Sequence, residues 1–344
     1  MKAVEKVFFA LIRFEINKTA LCDEVKNLIT PEILPSLFTL SKRHDLAHLI
    51  CDALEKNGLL FDGEIKARFL NERLLAVCRY ERQKYEFDRI CIVLEEAEIP
   101  FIPLKGSVIR AFYPEPWMRT SCDIDILVEP KNLSCAVNVL QKELEYKKKE
   151  FESSHDVSLF SASGVHLELH HSLVEENRTK RAEDILYSVW DSVVDDISFK
   201  KTLKDDMFYF YHVAHMAKHF EVGGCGVRTF LDVYLLKEQE RYKTCECDKL
   251  LERGNLLAFS KGVEETALAW FKEAQSTPLV ESIQEFILNA GMYADMENKA
   301  AINQAKRGGR TKYFCSRLFL SREELVKQYP KLENKKWLML FYQM

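Results

Sequence analysis

Two short stretches constrain this chain most. "DIDILV" (Asp123–Val128) and "VHLELHH" (Val165–His171) alternate with period two, the signature of half-buried strands. One face is apolar in each: Ile124, Ile126 and Val128 in the first, Val165, Leu167 and Leu169 in the second. The other face carries Asp123 and Asp125 in the first and His166, Glu168 and His170 in the second. Residues at i and i+2 of a strand project side by side. Two carboxylates so placed repel, and one is pushed toward its neutral form unless a cation lies between them.

Both stretches sit between long helical periods. The first ~95 residues read as helical. "LSKRHDLAHLICDALEKNG" has Leu46, Ile50 and Leu54 at helical spacing and ends at Gly58. "NERLLAVCRYERQKYEFDRICIVLEEAEI" is a longer amphipathic helix stopped by Pro100. "IPFIPL" is then β-like, and "KGSVIRAFY" turns at Gly106 into a helix. "KNLSCAVNVLQKEL" predicts a helix with Leu133, Val137, Leu140 and Leu144 on one face, and "YKKKEF" and "DVSLF" are stranded. From about Leu173 the helical periods return and are expected to run to Met344. The expected fold class is α+β, a small mixed-sheet core flanked by N-terminal and C-terminal helical regions. The expected domains are residues 1–95, 96–172 and 173–344.

Composition bounds the function. The 344 residues are 47% hydrophobic and 30% charged, with net charge -4 and a pI of about 6.2. That argues against an electrostatic binder of large nucleic acids. No apolar run is long enough to span a membrane. The ten cysteines are scattered without a Cys-x-x-Cys pair, so they are expected to be reduced thiols of a cytoplasmic protein.

Asp123 and Asp125 suit a hard divalent cation, which takes oxygen ligands. Glu168 is the natural third carboxylate, and two metals held this way can clamp a phosphate. The bland alternative is an edge strand with a solvated acidic face. The preceding "PLKGS" segment offers a helix start to a phosphate, with Gly106 for close approach, the Ser107 hydroxyl as donor and Lys105 as a point charge. It is not a P-loop, since the glycine spacing differs. His212, His215 and His219 share one helical face beside Lys218. They are read as an active-site wall, as a zinc site, or as hydrogen-bonded histidines between domains. His170 is read as orienting Glu168. Arg228 and Asp232, at i and i+4, are read as a helix salt bridge worth ~0.3–0.5 kcal/mol, and Lys147 to Lys149 as a solvated strand end.

The order "LKGS", "RTSCDIDILV", "HLELH" resembles the nucleotidyltransferase superfamily that includes DNA polymerase β and aminoglycoside nucleotidyltransferases. It is more closely similar to an uncharacterised bacterial nucleotidyltransferase-like family, with "LSKRHDLAHLI", "HVAHMAKHF", "GVRTFLDVY", "NAGMYADMENK" and "YPKLENKKWLM" contributing. The resemblance implies that Asp123, Asp125 and Glu168 hold Mg2+ or Mn2+, with Glu168 aiding the metal or acting as base toward the acceptor. It implies that Gly106 and Ser107 hold a nucleoside triphosphate such as ATP, with Lys105, Arg119, His215 and Lys218 on its phosphates. The implied reaction moves a nucleoside monophosphate to an acceptor hydroxyl, on a small molecule or a protein, and releases pyrophosphate. A non-catalytic nucleotide-binding or interaction protein that retains the fold is the alternative, and a zinc hydrolase using the histidines is a second. Relatives continue past "KKWLMLFYQM", so a short or truncated form is expected. Asp125→Asn is expected to leave the metal-free protein folded and slightly stabilised.

Overall fold

The computed structural model describes residues 2–149, 154–174, 180–194, 197–222 and 225–290. The helices are α1 (Ala3–Asn17), α2 (Asp23–Leu28), α3 (Leu34–Arg43), α4 (Ala47–Lys56), α5 (Glu64–Glu96), α6 (Gly106–Ile109), α7 (Leu133–Leu144), α8 (Lys180–Tyr187), α9 (Asp205–Val222), α10 (Val227–Lys237), α11 (Cys245–Arg253), α12 (Leu257–Phe271) and α13 (Pro278–Ala290). The strands are β1 (Phe101–Pro103), β2 (Asp123–Val128), β3 (Lys147–Lys148), β4 (Asp156–Phe160) and β5 (His166–His170). This is the α+β class that the patterning predicts. The helix predicted over 40–58 is two helices, α3 and α4, parted at Asp45, whose φ of 55 lies in the left-handed region. The expected helical continuation beyond residue 290, with "NAGMYADMENK" and "YPKLENKKWLM", falls outside the described residues.

The chain forms two compact units. One comprises Met1–Leu46, Asn177–Glu183 and Tyr209–Met344, and the other Ala47–Glu176 and Asp184–Phe208. The first is helical where described. Its centre is aromatic: Phe9 of α1 stacks on Trp270 of α12 at 5.0 Å, and Phe230 of α10 lies 4.8 Å from the same ring. The Arg13 guanidinium donates to the Trp270 carbonyl at 2.9 Å and closes the end of α12, satisfying a carbonyl that the helix terminus leaves open. In this unit Arg228 ion-pairs with Asp45, a partner outside its own helix.

The second unit holds the sheet, in the order β1-β2-β5-β4-β3. Among these described strands β2 and β5 pair in parallel, and the other neighbours are antiparallel. The apolar face packs under α5 and α7. Ile124, Ile126, Val128, Leu167 and Leu169 meet Ile90 and Leu94 of α5 and Ala136 and Leu140 of α7, all at most 2% exposed. Each fully buried aliphatic side chain contributes about 1.5–3 kcal/mol, so this face fixes the register. A one-residue slip would turn every carboxylate into the core. Beside β1, Phe101 pairs with the 199–201 segment, and Glu95 accepts hydrogen bonds from Ser198 Oγ and from the N–H groups of Phe199 and Lys200. Lys147 and Lys148 lie exposed on the edge strand.

Candidate active site

β2 lies inside the sheet, so its acidic face is no solvated edge, and Asp125 is only 3% exposed. Register sets Asp125 directly opposite Glu168 and Asp123 opposite His166. Since neighbouring residues in register share a face, Asp123, Asp125, His166, Glu168 and His170 all project away from α5 and α7. Two trios have all their ligand atoms within 4.8 Å of one another: Asp123 with His166 and Glu168, and Asp125 with Glu168 and His170. Three carboxylates in such trios fit a hard divalent ion, and the imidazoles widen the set toward transition metals.

The turn between β1 and α6 lies against this face. The Leu104 N–H donates to the Asp125 carbonyl at 3.0 Å, and Lys105 Nζ donates to Asp125 Oδ1 at 2.7 Å. His170 Nε2 lies 3.0 Å from the same oxygen and 3.5 Å from Glu168 Oε2. His170 therefore orients Asp125 as well as Glu168. Burial disfavours charge on Asp125, but Lys105 and His170 outweigh it and hold the carboxyl well below the usual range. For Asp123 the balance is reversed: burial and its neighbours Asp125 and Glu168 outweigh Lys105 and His166 and push it up to about 6. His170 is buried, which disfavours its cation, yet its hydrogen bonds to Asp125 and Glu168 raise its pKa.

The helix at the turn is a single turn long, Gly106–Ile109. A Cβ at Gly106 would lie 2.7 Å from Arg119 Nη1 and 3.3 Å from Ser121 Cβ, so this position tolerates only glycine without movement. Arg119 is buried at 8% exposure and braces Gly106, while Ser107 is half-buried. His215 and Lys218 lie on α9 within the helical unit, with His215 Nε2 3.0 Å from His219 Nε2. Among the described residues, the metal-compatible trios both lie on the strands and neither includes these histidines.

Sequence patterning missed the layer behind the turn. Arg110 donates from Nε to the Gly106 carbonyl at 2.8 Å and from Nη2 to Gln83 Oε1 at 3.2 Å. Gln83 Nε2 donates to the Ser121 carbonyl at 3.1 Å. A signal for it existed: Phe69, Ala76, Gln83 and Ile90 recur every seven residues as buried positions of α5, and Gln83 is the polar one. Such a residue on a core stripe needs a buried partner. On the far side, Asp156 and Ser158 of β4 face His170 and Glu168, and the His155 ring stacks 5.9 Å from His170.

The fold and site define a class: a small mixed sheet backed by helices, with a glycine turn set against an acid-rich strand pair. The chain belongs to a family described as uncharacterised nucleotidyltransferase, whose model matches residues 34–270. No curated protein and no solved structure gives a match. No helix among the described residues is long and apolar enough to cross a membrane.

Proposed function

We propose that the protein transfers a nucleoside monophosphate from a nucleoside triphosphate to an acceptor hydroxyl, dependent on Mg2+ or Mn2+, as in the polymerase-β-like superfamily. One observation carries this reading: Asp125 and Glu168 stand in register on parallel strands, with Asp123 two residues earlier on the same face. When bound, the divalent ion would neutralise charge on the phosphates and lower the cost of attack at the α-phosphorus. Asp123 and Asp125 hold the ion, with Glu168 as third ligand or as the base that takes the acceptor's proton. Ser107 donates to a phosphate oxygen, and Lys105 and Arg119 supply positive charge at the turn. The contacts assigned to His215 and Lys218 rest on the sequence pattern, and the acceptor is a small molecule or a protein side chain.

The test is transfer of label from α-phosphate-labelled triphosphates, with pyrophosphate release, across a panel of bases, acceptors and the two metals. Asp125→Asn and Glu168→Gln should each abolish the transfer. A second reading, nucleotide binding without transfer, draws support from Lys105 already pairing with Asp125. Triphosphate binding with no label transfer and no pyrophosphate across the panel would favour it.

A further inference from the structure

Asp125 Oδ1 accepts two hydrogen bonds, from Lys105 at 2.7 Å and His170 at 3.0 Å. A carboxylate oxygen has two lone-pair sites, so this atom is saturated by the protein's own donors. The lysine is built into that position. Lys105 has φ 41 and ψ -113, a conformation that L residues rarely adopt and that costs about 1–3 kcal/mol. Its neighbours hold it there. Leu104 is pinned to the Asp125 carbonyl, the Lys105 carbonyl accepts from the Val108 and Ile109 N–H groups, and Arg110 fixes Gly106 from behind. The backbone is thus fixed, while the side chain keeps 16% of its surface in solvent.

We propose that Lys105 is a displaceable counter-cation: its ammonium closes Asp125 Oδ1 to a divalent ion, and an anionic phosphate ligand opens that oxygen by drawing the ammonium away. The inference rests on the metal-dependent reading of this face but not on turnover. Opposite charges explain the direction. The ammonium and the ion compete for one carboxylate, so the ion is disfavoured while Lys105 is docked. A polyphosphate at the Gly106–Ser107 turn gives the ammonium a second anion. Metal and phosphate ligand therefore bind cooperatively, and the coupling is reciprocal.

The test measures Mn2+ binding by electron paramagnetic resonance, in the full chain, with and without a non-hydrolysable triphosphate analogue. In the wild type the analogue should tighten Mn2+ binding by about 5–150-fold, the usual range of such coupling. Lys105→Met should bind Mn2+ alone about tenfold more tightly than wild type, and the analogue should add less than it does in wild type. Lys105→Arg keeps the charge and should keep the weaker binding. Equal or weaker Mn2+ affinity in Lys105→Met, or an undiminished effect of the analogue, overturns the proposal. A measurement on the wild type covers the case in which the variants fail to fold. Acylation of Lys105 by an amine reagent, read by mass spectrometry, should be slow in chelator, faster with Mn2+, and slow again with Mn2+ plus analogue. A rate indifferent to Mn2+ also overturns it. Lysine displacement without nucleotidyl transfer leaves this inference standing and refutes the transferase reading; absence of Mn2+ binding under every condition refutes both.

Discussion

Replacing either aspartate of β2 by asparagine removes one negative charge and keeps the shape, yet the structure predicts opposite effects on the metal-free protein. Asp123 is raised from 3.8 to about 6 by burial and by Asp125 and Glu168. At ~1.36 kcal/mol per pH unit, that is about 3 kcal/mol of discrimination against the carboxylate, trimmed by residual solvent to about 1–3 kcal/mol. A raised carboxyl contributes stability below its unfolded value and loses it as pH rises through the folded value. Asp123→Asn should therefore stabilise at pH 7.5, and its advantage should vanish below pH ~4. Asp125→Asn should do the reverse, contrary to the slight stabilisation that the sequence alone suggests. It removes the charge that Lys105 pairs with on Asp125, and breaking a buried pair costs about 3–5 kcal/mol. Since the Lys105 side chain stays 16% exposed, about 2–4 kcal/mol is expected. Urea unfolding followed by circular dichroism, in chelator at pH 7.5, measures both. Shifts of the same sign in the two variants would refute the division of charge described here.

Gly106→Ala should destabilise by about 1–3 kcal/mol and weaken triphosphate binding, because its Cβ would meet a buried Arg119 guanidinium; an unchanged melting temperature would show that Arg119 yields freely. Ser107→Ala should weaken triphosphate affinity by about 0.5–1.5 kcal/mol, read by calorimetry, with little change in melting. In the helical unit, burial and the adjacent Arg43 lower the His44 pKa to about 3, while its Nδ1 accepts from the Val227 N–H. A lowered histidine contributes stability above its unfolded value, near 6.5, and loses it as pH falls toward 3. About 2 kcal/mol should be lost between pH 7.5 and 5, and His44→Gln should flatten that slope in urea titrations.

The parts legible in the sequence are those where period and burial coincide. "DIDILV" and "VHLELHH" could be read because one face of each strand meets α5 and α7, and this same constraint sets their register. The break between α3 and α4 was hidden, since Leu46, Ile50 and Leu54 keep helical phase while Asp45 turns left-handed. The pairing of Lys105 with Asp125 was hidden for another reason. They lie twenty positions apart in sequence, and the antiparallel return of β2 beside β1 closes that gap. Arg228 shows the same limit: its i+4 neighbour Asp232 is visible in sequence, but its ion pair with Asp45, 183 positions away, is not.

A strand inside a sheet can tolerate adjacent carboxylates in three ways: by water, by a bound cation, or by a cation of the protein. Burial on β2 withdraws most of the first. For Asp125 the protein uses the third, with Lys105 and His170 both on one oxygen. Asp123 receives less of the third, from Lys105 and His166, and its raised pKa is the measure of what is lacking. The two trios are thus unequal although they share Glu168. The trio around Asp125 carries the Lys105 ammonium hydrogen-bonded to one of its ligand residues. On the metal-dependent reading, an ion that competes with Lys105 for Asp125 also offsets the charge that Asp123 is denied. If Lys105 is displaced as proposed, the second carboxylate becomes conditional on the ligand that draws the lysine away.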